Sequence, residues 1–211
     1  MKRNYQLELD RELAGFDEKK RLLLHACCAP CSSYVLEYLT RYFDITVLFY
    51  NPNITDQAEH EKRYSELERL ISLLPHENLI ELICPEHDPQ RFFELSRGRE
   101  GLPEGGARCF DCYRLRLEKT AEYFSEHRGA FDFFATTLTV SPHKNAEKLN
   151  EIGFELAEKY GIRWLPSDFK KREGYKRSIE LSRIYGLYRQ NFCGCEFSRT
   201  IAEANERNGA L

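Results

Sequence analysis

Seven of the eight cysteines in this chain fall into three clusters: Cys27-Cys28-Ala29-Pro30-Cys31, Cys109-Phe110-Asp111-Cys112 and Cys193-Gly194-Cys195. Thiolates bind iron and zinc, and they form most readily at helix N-termini or beside cations. Cys109 and Cys112 are three apart at a predicted helix start, so their sulfurs share one face, with Arg108 adjacent. Cys27 and Cys28 lie in a loop at the mouth of a predicted strand. If the two clusters converge, their four thiolates make the usual ligand set of a 4Fe-4S cluster. A structural zinc site would use the same four residues. Cys31, Cys193 and Cys195 then remain as surplus. Gly194 permits a left-handed turn between the last two, so this pair can close a redox-active disulfide or hold a second metal. Cys84, at the end of an apolar run and before Pro85, reads as an inert core thiol.

Other readings of the first cluster compete. Cys28-Ala29-Pro30-Cys31 between strand and helix has the form of a thioredoxin-type Cys-x-x-Cys, but that leaves four paired cysteines idle. Cys27 and Cys31 have the first spacing of a radical-SAM motif, yet Tyr34 stands where its third cysteine belongs. The glycines and lysine of a phosphate-binding loop are missing. His25 and His143 could face the site as proton donors, or be satisfied structural histidines. His60, His76, His87 and His127 read as surface positions. Asp111 and Asp168 are candidate carboxylates for a second metal or a proton relay, and equally candidates for satisfying backbone donors at a helix start.

The elements that must position these groups alternate. An apolar strand over 22–24 runs into the first cluster, and Ser32 and Ser33 are good N-caps for a helix carrying Val35, Leu36, Leu39 and Phe43. A second strand spans 45–50 and ends at Asn51-Pro52-Asn53, followed by a charged helix over 55–74. A third strand covers 79–84 and a short helix 88–97. Residues 98–107, with four glycines and a proline, form a loop presenting the second cysteine pair. A helix from Cys109 to about 127, a strand over 131–137, a helix to about 160 and a fifth strand over 162–165 follow. A helix over 175–185 and a short C-terminal helix flank the last pair. Strands alternating with helices predict an α/β fold, an open parallel sheet with right-handed crossovers and helices on both faces. Ligands collect at the carboxyl ends of such strands, where the first thiols lie.

With 211 residues and 42% hydrophobic content the chain can bury a proper core. No stretch approaches the roughly 18 apolar residues of a membrane span, and residues 1–20, read as a short helix or arm, carry no apolar signal core. The expected location is the cytoplasm, where eight cysteines point to metal or redox chemistry rather than structural disulfides. Formal net charge is −3, yet residues 163–199 hold nine Lys or Arg against four acids. Such a stripe can hold phosphates, or be a solvated helix face.

Taken together, His25 to Cys31, Tyr50-Asn51-Pro52-Asn53-Ile54, Arg108 to Leu117, Thr136-Thr137-Leu138, Asp168-Phe169-Lys170-Lys171 and Tyr188 to Cys195 resemble the QueH family of epoxyqueuosine reductases. The resemblance spans about 20–199. It implies a Rossmann-like, nucleotide-hydrolase-like sheet with a helical C-terminal segment: an arm over 1–20, one reductase domain over 21–199 with its basic helical region from about 167, and a tail over 200–211. It implies two-electron removal of the epoxide oxygen from epoxyqueuosine in a tRNA anticodon, giving queuosine and water, by an iron-sulfur enzyme without cobalamin. Carried over by motif, Cys27, Cys28, Cys109 and Cys112 would hold the 4Fe-4S cluster and Cys193 with Cys195 would be the redox-active pair, with Cys31 able to exchange places with a neighbour and room for a second iron. Partners would be the tRNA and an unidentified electron donor, with no membrane. Lys170, Lys171, Arg172, Lys176, Arg177, Arg183 and Arg189 would grip the tRNA, with Tyr175, Tyr185, Tyr188 and Phe192 offering rings for splayed bases. Two other classes stay open: a thioredoxin-like thiol-disulfide oxidoreductase and a zinc-stabilised RNA-binding domain.

Overall fold

Strand β1 (Lys20–His25) alternates its leucines across the sheet, as a strand buried on both faces must. Leu22 and Leu24 face one side and Leu23 the other. In this computed structural model, which describes residues 3–75 and 79–207, β1 pairs in parallel with β2 (Phe43–Leu48) and with β4 (Phe133–Thr136), and β2 pairs in parallel with β3 (Ile80–Ile83). The order is β3-β2-β1-β4. The chain works outward from β1 through β3 and then returns to the other flank of β1. The crevice between the ends of β1 and β4 is therefore the topological switch point, where open α/β sheets bind ligands. No helix among the described residues is long and apolar enough to cross a membrane.

Helices cover both faces. On one lie α1 (Tyr5–Ala14), α2 (Ala29–Leu39) and α3 (Gln57–Leu73), giving Leu9, Leu13, Val35, Leu36, Leu39, Leu67 and Leu70 to the core. On the other lie α5 (Ala107–Glu126) and α6 (Ala146–Tyr160), giving Leu117, Ala121, Phe124, Leu149, Ile152 and Leu156. A short α4 (Pro89–Ser96) precedes α5, while α7 (Gly174–Ile184), which packs on α2, and α8 (Glu196–Arg207) close the chain. The buried leucines of α1 tie residues 5–14 into the main core, and α8 runs across the expected boundary at residue 200.

Four local expectations are corrected. Helix α2 starts at Ala29 with Cys28 as its N-cap, ahead of Ser32 and Ser33, because Pro30 suits a first turn that needs no backbone donor. The two serines lie inside the helix and donate back to Cys28 O and Pro30 O at 2.8 and 2.9 Å. Phe43 opens β2 instead of closing α2. The fifth strand shrinks to one bridge between Phe134 and Trp164, since Pro166 cannot continue the ladder. Cys84 is exposed rather than buried, because it follows β3, the edge strand of the sheet.

Close approach of α6 to the sheet edge depends on Gly153, where a Cβ would fall inside the Trp164 indole. That indole is fixed by its N–H to Asn150 Oδ1 at 3.0 Å. Gly153→Ala is expected to destabilise the fold by about 1–3 kcal/mol, the usual cost of overpacking, read as a lowered urea midpoint at unchanged slope.

Candidate metal and thiol centre

The loop leaving β1 delivers its thiols to the N-terminus of α2. Cys28 is the N-cap and Cys31 lies in the first turn, so backbone N–H groups and the helix dipole favour negative sulfur there. The Cys27, Cys28 and Cys31 sulfurs lie within 4.8 Å of one another, and no other set of three His, Cys, Asp or Glu ligand atoms among the described residues is as tight. Cys27 Sγ is 3.6 Å from Cys28 Sγ and 3.9 Å from Thr137 Oγ1, at the end of β4. Hydrogen bonds from Cys27 and Cys31, with the charge of Arg63, hold Cys28 well below the ordinary thiol range. The same contacts push Cys31 well up and Cys27 to about 12.

The other four site cysteines meet in a second group. Arg108, expected beside the thiols as a free cation, is buried and donates to Arg99 O and Glu100 O at 3.0 and 2.7 Å, pinning the glycine-rich loop. Its guanidinium also lies over Phe197 of α8, 4.3 Å from the ring centre. With that loop fixed, Cys109 and Cys112 of α5 and Cys193 and Cys195 from the turn before α8 line one narrow pocket. Asn53, Tyr113, Arg116 and Lys144 complete much of its wall. All eight cysteines are free thiols.

Two buried cations organise this pocket. Lys144, in the turn after β4, donates to Cys193 Sγ at 3.0 Å. Burial pushes the Cys193 thiol up, but Lys144 and Arg116 outweigh it and the net shift is down. Cys195 shifts up and Cys112 rises to about 12, both chiefly through burial. Arg116, 1% exposed, stands between the two thiol groups: the charges of Cys112, Cys193 and Cys27 all bear on it. Its Nη1 reaches Asn51 Oδ1 at 3.5 Å, and Asn51 in turn donates to Ala26 O beside the first cluster at 2.8 Å. Arg63 of α3 donates to Cys193 O at 3.0 Å. Gly194, at φ +119°, is obligatory, since a Cβ would fall 2.8 Å from Ile54 and 3.2 Å from Arg63 Nη1. Three buried polar atoms of the pocket, Asn53 Oδ1, the Tyr113 hydroxyl and Arg116 Nη2, have no partner within the protein.

The remaining candidates settle elsewhere. Asp111 pairs with Arg99, and Asp168 with Lys170 at 2.5 Å. Buried His25 bonds Tyr50 O through Nε2 at 3.2 Å and Thr136 Oγ1 through Nδ1 at 2.9 Å. Burial lowers it to about 3, so it is a neutral framework residue. His143 and His127 are exposed. His60, expected on the surface, is 5% exposed because its face of α3 packs on Phe49, and it stacks on half-buried His87 with ring centres 3.8 Å apart. His76 lies outside the described residues. In the basic stripe, Arg172 pairs with Asp10, Lys176 with Glu173 and Arg177 with Glu37 and Glu180, while Arg189 donates to Ser182 Oγ. Lys171 and Arg183 are exposed. Tyr188 donates to Glu59 beneath Lys62, Phe192 lies between Arg63 and Arg199, and Tyr185 packs on the core.

A three-thiol group and a four-thiol pocket at a sheet's switch point, with buried cations against them, make a centre for metal or electron chemistry. Comparison with known proteins decides the lineage. The profile of the family described as "Epoxyqueuosine reductase QueH" matches residues 22–201. The chain belongs to the QueH family. Proteins named epoxyqueuosine reductase QueH from Staphylococcus epidermidis and Streptococcus pyogenes are each 40% identical to it, over 92% and 94% of this chain and 84% and 80% of their own lengths. A third, from Thermotoga maritima, is 33% identical over 90% of this chain and 95% of its own length. These QueH relatives are named as reductases, and the chain is accordingly an oxidoreductase. The matched span contains every cysteine of both thiol groups.

Sequence reasoning gave no role to Lys144, Arg116, Tyr113, Asn53 or Arg63. Arg116 alone carried a readable signal, standing four residues after Cys112 and so on the same helix face. Because Lys144 favours the Cys193 thiolate, Lys144→Met should raise the pH at which Cys193 becomes reactive. In reduced, metal-free protein the alkylation rate of Cys193 at pH 7 should fall about tenfold for every pH unit by which its titration midpoint rises, read by peptide mass spectrometry across a pH series.

Proposed function

We propose that this chain reduces epoxyqueuosine in the tRNA anticodon to queuosine, removing the epoxide oxygen as water. The observation that carries this reading is a three-thiol group after β1 and a four-thiol pocket, with Arg116 within electrostatic reach of both, in a QueH chain. Deoxygenation of an epoxide consumes two electrons and two protons. Cys193 and Cys195 supply both in becoming a disulfide, with the Lys144 ammonium holding the proton that the Cys193 thiolate lacks. An external donor of unassigned chemistry then restores the dithiol.

The residues present suit an iron-sulfur group. Thiolates are its donors, and the positive charge of Arg116 and Lys144 offsets theirs in a buried setting. Cys27, Cys28, Cys109 and Cys112 would hold a 4Fe-4S cluster, which supplies one-electron transfer when bound. The closeness of Cys27, Cys28 and Cys31 lets Cys31 exchange places with a neighbour as a ligand, since metal–sulfur bonds of about 2.3 Å put tetrahedral ligands about 3.8 Å apart. No role for cobalamin is proposed. Lys170, Lys171, Arg172, Lys176, Arg177, Arg183 and Arg189 would receive anticodon-stem phosphates, while Asp111 and Asp168 serve as ion-pair partners. Acting on tRNA places the chain in the cytoplasm.

Anaerobically purified protein should contain iron and sulfide. Reduced with dithiothreitol and freed of excess, it should convert one equivalent of epoxyqueuosine in tRNA while forming one disulfide between Cys193 and Cys195. Cys193→Ser should keep its iron and lose that turnover. Full single turnover by this variant would remove the pair from the electron path, and zinc in place of iron with no redox change would favour an RNA-binding domain.

A further inference from the structure

The second pocket holds polar atoms that the thiol chemistry leaves unused. The Tyr113 hydroxyl and Arg116 Nη2 belong to side chains each 1% exposed, both line the pocket, and neither atom has a partner in the protein. The two side chains are neighbours, the guanidinium carbon lying 5.8 Å from the Tyr113 ring centre. A buried polar group left unpaired destabilises the fold. Two such donors on one helix, beside Cys112 and facing the same gap, are a cost that folding alone does not explain. Other donors that line the pocket are committed: Lys144 to Cys193 Sγ at 3.0 Å and to Glu104 at 3.8 Å, Arg108 to Arg99 O and Glu100 O, and Ser198 Oγ to Cys195 O.

We propose that the Tyr113 hydroxyl and Arg116 Nη2 form the oxyanion site of this enzyme, receiving the oxygen that leaves the substrate's epoxide. The proposal rests on the reductase reading above. In the first half of the reaction the Cys193 thiolate attacks one epoxide carbon: a carbon–sulfur bond forms, the carbon–oxygen bond there breaks and its electron pair stays on oxygen, leaving an alkoxide on the neighbouring carbon. That alkoxide accepts hydrogen bonds from the tyrosine and the arginine. Cys195, giving up its proton, then attacks the Cys193 sulfur: the sulfur–sulfur bond forms, the carbon–sulfur pair becomes the carbon–carbon double bond, and the second carbon–oxygen bond breaks, the oxygen departing as water with the protons of Cys195 and Lys144. Over the whole step two electrons and two protons pass to the substrate, and the Cys193 and Cys195 dithiol, with the proton on Lys144, becomes a disulfide. Arg116 stabilises charge, and Tyr113 sets the direction of the bond. Donors placed where charge develops, in a site from which water is excluded, gain most as the oxyanion forms. The epoxide oxygen of the ground state, a weak acceptor, gains less. Both residues are therefore catalytic residues whose effect falls on kcat.

The test compares wild type with Tyr113→Phe, which keeps the ring in its packing and deletes only the hydroxyl, using tRNA that carries epoxyqueuosine. Four readings are taken: kcat, KM for the tRNA, iron and sulfide content, and the alkylation rate of Cys193. The expected result is a kcat lower by about 10²–10³-fold, the usual loss for one oxyanion donor, with KM, metal content and Cys193 reactivity within twofold of wild type. A variant whose kcat stays within threefold of an active wild type overturns the proposal and leaves the reductase reading standing. Loss of iron or sulfide along with activity also overturns it, by assigning the hydroxyl to the metal centre. A wild type that leaves the epoxide intact overturns the reductase reading and the proposal with it.

Discussion

Burying so many thiols at one sheet edge is tolerable only if their charge is answered, and Arg116 and Lys144 answer it. Lys144 has one carboxylate at the outer limit of an ion pair, Glu104 at 3.8 Å, and Arg116 donates to a carbonyl and an amide oxygen. A buried charge without a partner is strongly unfavourable. Lys144 has a sulfur partner as well, Cys193 at 3.0 Å, and Arg116 lies within electrostatic reach of the same thiol. The shifts run accordingly, with Cys193 down and Lys144 up despite burial that opposes both. The shifts also diverge within each group: Cys28 and Cys193 move down, while Cys31 and Cys195 move up.

Keeping those charges in place requires a rigid frame, and the frame is drawn from distant parts of the chain. Asn51 and Asn53 follow β2, Arg63 comes from α3, Arg116 from α5, Lys144 from the turn after β4, and Cys193 from the approach to α8. Gly194 allows that approach to pass close over Ile54 and Arg63. His25 works at the level below. Locked between Tyr50 and Thr136, it ties the ends of β1, β2 and β4 together beneath the first cluster. A histidine able to protonate at neutral pH would weaken that tie, and burial removes the option.

Local pattern made the strands, helices and cysteine clusters legible in the sequence, and the joint occurrence of several motifs carried the family. What stayed hidden was set by packing between distant residues. Lys144 sits in a polar turn and looks like a surface lysine; only the fold brings it to Cys193, 49 positions later. Arg63 belongs to a charged helix and reads as solvated, yet its face is turned to the 192–193 backbone. Cys84 misled for the opposite reason: its apolar run is real, but strand order made it an edge, and order is not written in periodicity. The helix start at Ala29 was readable in principle, because Pro30 favours a first turn more strongly than Ser32 favours a cap.

The basic stripe shows how a count of charges and their availability differ. Arg172 and Arg177 reach to Asp10 of α1 and Glu37 of α2, and Lys176 to Glu173 within the stripe, so acids on other elements answer part of the local excess of cations. Each of these pairs is at least partly exposed, and exposed pairs are worth only about 0–1 kcal/mol. On the proposed reading a phosphate can therefore take over an arginine at little cost, and the released acid is rehydrated. The buried cations of the centre have no such freedom, because parting Arg116 or Lys144 from sulfur would strand a charge in the interior. On that reading electrostatics of the same sign serve two ends: weak and exchangeable at a surface that meets a polyanion, fixed at the thiol centre.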